Sequence, residues 1–301
     1  MKKIIAMILM SMLVLAGCQT TPGAAGDSGN NGSSSTEKTE AQNRVITADA
    51  AYERMQSGDP VVIVDVRSPE EYAESHIPGA VLVPLDTIGD TMPELLPVKD
   101  AELLIYCRSG NRSAQAAAKL AKLGYTNIND FGGIKDWTYE TESGEWQEKT
   151  GSLTSFRTYD LQGAPAEETV FSGKKLTMVN VWATFCGYCL QEMPDIAALA
   201  DKYADRGFQV IGIVTDTVDI DGTPSQEQIE YARVLAQQTG ASYRHLIPSA
   251  SIMQILSDIQ SVPTTFFLDE KGNLVGEPLV GARSKGEWDA TIDYLLGEVG
   301  A

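Results

Sequence analysis

The feature that most constrains this chain is Cys186-Gly187-Tyr188-Cys189, two cysteines two residues apart at the end of the apolar run Met178–Trp182. A dithiol placed where a strand ends and a helix opens is the sequence form of a thiol–disulfide redox site. Helix amide groups and the macrodipole favour a thiolate on Cys186, and Cys189, one turn further in, is placed to resolve a mixed disulfide. A zinc site would need further ligands, and the chain has only four cysteines and two histidines. A purely structural bridge is disfavoured as well, because closing so short a loop brings little entropic gain.

At 301 residues the chain has room for two ordinary domains. Its formal charge of −18 repels nucleic acid and anionic headgroups, so neither is an expected partner. Lys2 and Lys3 precede an apolar run from Ile4 to Leu15, which is short for a membrane span and suited to a secretory signal. The run ends in Leu15-Ala16-Gly17-Cys18, which resembles the lipobox of bacterial lipoproteins. That resemblance implies a signal peptide over 1–17, a lipid on Cys18, and a mature chain held on the extracytoplasmic face of a membrane. Residues 18–43, rich in Gly, Ser, Thr, Asn and Ala, read as a flexible tether.

Residues 44–148 alternate strand-like and helix-like segments, as a parallel sheet covered on both faces requires. Val61–Val64 is a buried strand running into Asp65-Val66-Arg67, and Ser68-Pro69-Glu70-Glu71 is a capping box with proline in the first turn. Leu103–Tyr106 is a second buried strand that delivers Cys107, and an alanine-rich helix is expected over Ser113–Leu123, stopped by Gly124. A cysteine at a strand end, facing a loop of successive N–H groups and a helix start, has its thiolate stabilised. Asp65, Arg67 and His76 read as side chains that satisfy the strand-end turns. The Asp65-Val66-Arg67 strand end, His76-Ile77-Pro78-Gly79-Ala80, the loop Cys107-Arg108-Ser109-Gly110-Asn111-Arg112, and Gly132-Gly133 with Trp137 together resemble the rhodanese-like family. The resemblance implies a persulfide on Cys107 and a loop, Arg108 to Arg112, that binds the donor, with Arg108 and Arg112 attracting an anion such as thiosulfate. Cysteine phosphatases use a wider loop than the four residues between Cys107 and Arg112. Ser75 departs from the family's usual glycine.

Residues 152–301 form the second expected domain, joined by so short a boundary that the two should be near neighbours. Phe156–Leu161, Met178–Trp182, Phe208–Val214 and Thr264–Leu268 read as strands, with a hairpin turn over Glu270–Asn273. The helix that carries Ile196, Leu199 and Tyr203 follows the dithiol, and Asp219–Gln238 looks like an insertion ending in a helix. The last helix opens with a Ser284/Glu287 capping box and is expected to bury Trp288, Ile292 and Leu295. His245 reads as structural, since no ligand partner stands at metal spacing. Trp182, Cys186, Cys189, Glu192-Met193-Pro194 and Val262-Pro263-Thr264-Thr265 resemble the thioredoxin superfamily, specifically its membrane-tethered TlpA/ResA-type members. By that resemblance Pro263 is a cis proline beside the dithiol that meets an extended substrate. Asn180 replaces thioredoxin's buried aspartate, and Glu192 is the carboxylate that manages the proton of Cys189. On position alone Glu192 also reads as a surface glutamate of a first helical turn. A peroxiredoxin-like reading is weaker, because Ala183 stands where a threonine is required.

The expected fold is therefore α/β throughout, two α/β/α domains, a rhodanese-like parallel sheet followed by a thioredoxin-like mixed sheet. The expected activity is thiol–disulfide exchange at Cys186 and Cys189 coupled to sulfur transfer at Cys107, where Cys186 attacks the persulfide and sulfide leaves. The alternative is a reductase for secreted proteins or apocytochromes, with the rhodanese-like part independent or serving as a binding module. No cofactor or metal is expected beyond the Cys186–Cys189 pair and the lipid. A membrane thiol reductant, and either a sulfane-sulfur donor or a disulfide-bearing protein, are the expected partners.

Overall fold

The structure, a computed structural model, describes residues 42–299 apart from 148, 150, 151 and 220. The expected signal peptide and lipid-bearing Cys18, and nearly all of the expected tether, lie outside the described residues. Gln42 and Asn43, read as the end of that tether, already belong to a strand.

In the first part, β1 (Gln42–Val45), β2 (Val62–Asp65), β3 (Val81–Leu82), β4 (Leu103–Cys107) and β5 (Asn127–Gly133) form one sheet in the order β1-β5-β4-β2-β3. Every pairing is parallel. All five side chains of the central strand β4 are buried, as a strand covered on both faces demands. Helix α1 (Ala48–Gln56) lies on one face with Tyr72, Phe131 and Trp137. The short helix α2 (Pro69–Glu74) starts at the full capping box of Ser68 and Glu71. Helix α3 (Asn111–Lys122) covers the other face through Ala116, Ala117 and Leu120. It begins at Asn111 rather than the expected Ser113, because the chain enters helical geometry directly from the turn that wraps Cys107.

The second sheet has the order β12-β11-β8-β9-β10-β6-β7. Its strands are β6 (Arg157–Asp160), β7 (Pro165–Glu167), β8 (Leu176–Trp182), β9 (Phe208–Val214), β10 (Arg244–Ile247), β11 (Thr264–Leu268) and β12 (Leu279–Val280). The β8–β9 and β9–β10 pairs are parallel and the outer pairs antiparallel, which makes the sheet mixed. Alternate residues of β8 face opposite ways. Met178 packs with α4 (Gly187–Tyr203) and α7 (Lys285–Glu298), and Val179 and Val181 pack on the side of α6 (Ala250–Leu256). Helix α7 has the expected capping box, yet buries Leu296 with Trp288 and Ile292 while Leu295 stays half-buried. The spacing 288, 292, 296 keeps the same face at each turn.

The expected insertion is helix α5 (Gln226–Gln238), and it packs against the first part. Ile229, Ala232 and Leu235 of α5 belong to the same apolar cluster as Val98, Ala101 and Leu120 of the first part. Gln226 accepts from Lys99 N at 2.9 Å and donates to Pro97 O at 2.7 Å. Arg233 forks onto Asp100 at 2.6 and 2.9 Å and donates to Leu161 O. Gly163 closes the seam: a Cβ there would sit 2.4 Å from Ala101 Cβ.

Candidate active sites

Cys107 ends β4 and is 1% exposed. The chain turns around it, and Gly110 N donates to its Sγ at 3.1 Å. Burial pushes the Cys107 thiol up, but the N–H groups of Ser113, Ser109 and Gly110 and the Ser113 hydroxyl more than offset this. The thiol therefore lies below its ordinary value, with the thiolate favoured. Gly133 makes the loop fit, since a Cβ at that position would meet Arg108 O at 2.4 Å. Arg108, Ser109 and Asn111 are exposed, and Gly110 is half-buried. Arg112 behaves otherwise than expected. Its two terminal nitrogens donate to the two carboxylate oxygens of Glu71 at 2.6 and 2.7 Å, and this fork holds Glu71 down to about 2. Asp65 and Arg67 form a buried pair, Arg67 also donates to Ser75 O, and His76 Nδ1 bonds Tyr72 O, so these three hold the turn.

Cys186 and Cys189 are joined in a disulfide with a Cα–Cα separation of 5.3 Å. Cys186 is the N-cap of α4 and accepts from Cys189 N at 3.2 Å. It is 8% exposed, whereas Cys189 is fully buried, so an incoming thiol meets Cys186 first. Val262 O lies 3.6 Å from Cys186 Sγ, and the Val262–Pro263 bond is cis, which puts the buried Pro263 beside the dithiol. Phe185 and Tyr188, 78% and 72% exposed, flank the pair.

Glu192 is not a surface residue. It stands one helical turn beyond Cys189, buried, and three N–H groups converge on its carboxylate: Asn180 Nδ2 at 3.0 Å, Arg283 N at 3.0 Å and Trp288 Nε1 at 3.1 Å. Burial pushes its carboxyl up, and these donors only partly oppose the shift. A buried carboxyl raised in this way can take and return a proton near a thiol. Trp288 and Arg283 escape a sequence reading because they come from the far end of the chain. Asp216 escapes it too: it accepts from Thr184 N and from the Thr184 hydroxyl, and so fixes the approach to Cys186. His245 is buried against Trp182, whose Nε1 donates to His245 Nδ1 at 3.1 Å, while Nε2 bonds Ala241 O. Burial holds its pKa down to about 4, so the ring is neutral and structural.

With one thiolate-favouring loop cysteine and one helix-capping dithiol, the molecule carries a sulfur-transfer type of site and a disulfide-exchange type of site. The Rhodanese-like domain family matches residues 47–140 and the Redoxin family residues 149–291. Thiosulfate sulfurtransferase PspE of Escherichia coli is 37% identical over 73 residues, 24% of this chain and 70% of the relative. A sulfurtransferase of Allochromatium vinosum is 40% identical over 93 residues, 31% of this chain and 85% of the relative. Thioredoxin-like protein YneN of Bacillus subtilis is 30% identical over 133 residues, 44% of this chain and 72% of the relative. The chain thus belongs to the rhodanese-like sulfurtransferases through its first part and to the thioredoxin-like (Redoxin) proteins through its second.

Proposed function

We propose that this protein is a lipid-anchored, extracytoplasmic enzyme with two sulfur centres, a thiol–disulfide oxidoreductase coupled to persulfide chemistry. The observation that carries the reading is the pairing, in one body with a shared apolar core, of a thiolate-stabilising loop at Cys107 with a helix-capping dithiol at Cys186. The Cys107 thiolate attacks the outer sulfur of a sulfane donor; the donor's S–S bond breaks and a Cys107 persulfide forms. At the second centre, reduced Cys186 attacks a disulfide to form a mixed disulfide, or the outer sulfur of a persulfide to form a Cys186 persulfide with the donor thiolate leaving; Cys189 then attacks Cys186 Sγ, and the internal disulfide closes as the second thiol, or sulfide, leaves. Glu192 receives the proton of Cys189 in that step and returns it on reduction. A thiol reductant at the membrane restores the dithiol, and Pro263 with its neighbours lines the approach of an extended substrate.

One observation favours the reading in which the two centres act independently. The hydrogen bonds that α5 makes across the seam fall on Met92, Pro97, Lys99 and Asp100, which precede β4, whereas Cys107 lies at the other end of that strand. One experiment tests both. The full chain is exposed to a sulfane donor, the Cys107 persulfide is followed by mass, and sulfide release and insulin-disulfide reduction are assayed alongside. Cys107→Ser should abolish persulfide formation and Cys186→Ser insulin reduction. Loss of donor-dependent sulfide release in both variants supports coupling, and its retention in Cys186→Ser makes the centres independent. A persulfide that persists in Cys107→Ser would overturn the assignment.

A further inference from the structure

The positive charge around Cys107 is smaller than its three neighbouring arginines suggest. Arg67 is spent on Asp65 and Ser75 O. Arg112 is spent on Glu71, both of whose oxygens it engages. Glu71 is itself held in place by the start of α2, because its carboxylate accepts from Ser68 N at 3.2 Å and its own N–H donates to the Ser68 hydroxyl. The turn fixes Glu71 and the first turn of α3 fixes Arg112, so the fork is preorganised from both sides. Among the described residues Arg108 alone of the three has an exposed side chain with no ion-pair or hydrogen-bond partner. Lys135, whose N–H donates to Arg108 O, is a second exposed cation beside the loop, so Arg108 and Lys135 are left to attract an anion and Arg112, cancelled by Glu71, adds nothing to that attraction.

We infer that Cys107 takes its sulfur from a singly charged or neutral alkyl persulfide in preference to dianionic thiosulfate, with Glu71 as the specificity-determining residue. The inference rests on the reading of Cys107 as a sulfur acceptor. In the step, the Cys107 thiolate attacks the outer sulfur of R–S–SH. The R–S to S bond breaks, a Cys107 S–S bond forms, the proton stays on the outer sulfur, and R–S⁻ leaves with the electron pair. Nothing is oxidised or reduced overall. With thiosulfate the same attack must expel sulfite, and a doubly charged donor must approach a thiolate without help from Arg112. Glu71 touches no reacting atom; it acts by cancelling the charge of Arg112.

The Glu71→Gln variant isolates this effect, because glutamine still serves a capping box while the charge is lost. Rates of sulfur gain at Cys107 are measured on the full chain by intact mass, with thiosulfate and with cysteine persulfide as donors. The thiosulfate-to-persulfide rate ratio should rise about fivefold to tenfold at low salt, and the gain should shrink as salt is added. In Glu71→Gln/Arg112→Gln, where both charges are removed together, the ratio should return to within about twofold of the starting chain, since a cancelled charge has little left to lose. An unchanged ratio in Glu71→Gln, or a fall of fivefold or more in the double variant, would overturn the inference. Failure of the unmodified chain to take sulfur from either donor would instead overturn the sulfur-acceptor reading.

Discussion

The two sulfur centres are built from the same parts and finished differently. Each cysteine stands where a fully buried strand, β4 or β8, gives way to a helix. Around Cys107 the chain inserts a loop whose amides close on a single sulfur, and the rim of Arg108, Ser109 and Asn111 is polar. At Cys186 the turn is tighter, a second thiol waits inside the helix, and the rim is aromatic, with Phe185 and Tyr188 standing out from the surface. A polar rim over an enclosed sulfur suits a small donor, and an apolar rim over a partly open disulfide suits a polypeptide. The second difference concerns proton management. Cys107 has fixed donors that hold a thiolate, whereas the dithiol has the buried, raised carboxyl of Glu192, which can change state.

That contrast can be broken in three places. The largest effect is expected from Glu192→Gln, which should slow insulin-disulfide reduction roughly 10- to 100-fold and remove the fall in rate as pH drops through the raised carboxyl value, while sulfur loading of Cys107 proceeds as before. Equal loss in both assays would mean that Glu192 supports the whole body rather than the dithiol. Next comes the seam. Gly163→Val places a branched side chain at a positive φ and against Ala101, and should cost about 2–4 kcal/mol in urea unfolding. Two separate transitions by fluorescence are expected where the unmodified chain gives one; a single transition at an unchanged midpoint would show that the halves do not support each other.

The smallest effect is pH-dependent. His245 titrates near 4 when folded and near 6.5 when unfolded, so below 6.5 the unfolded chain binds the extra proton. The stability tied to the neutral ring is complete above pH 6.5 and is lost as pH falls toward 4, about 2 kcal/mol by pH 5. Glu71 in the first half, held down to about 2 by Arg112, keeps its contribution until pH falls below about 4.5. The loss of stability in acid should thus set in through His245 before Glu71 contributes, and urea midpoints flat from pH 6.5 to 5 would contradict this.

Local signals were legible in the sequence wherever local chemistry sets them. The capping boxes at Ser68 and Ser284 and the apolar runs of β4, β8 and β9 stand where their residues put them. What was hidden depends on partners far along the chain. Arg112 reads as an anion-binding cation until Glu71, 41 positions earlier, is found in its fork, and Glu71 reads only as a cap. Glu192 reads equally as a surface residue until Trp288, 96 positions later, covers it. The helix at 226–238 looked like an insertion because no periodicity reveals that its apolar face has another sheet to pack on.

Helix α5 also sets a mechanical condition. Gln226 is hooked to the backbone of residues 97 and 99, and Gln228, two positions on, lies 3.3 Å from the Thr184 hydroxyl at the approach to Cys186. Side chains two positions apart on a helix point about 200° apart, so these two glutamines grip opposite walls of the seam. The loop before β4 and the doorway of the dithiol are thus both tied to the first turn of α5, one helix serving as the common anchor of two walls.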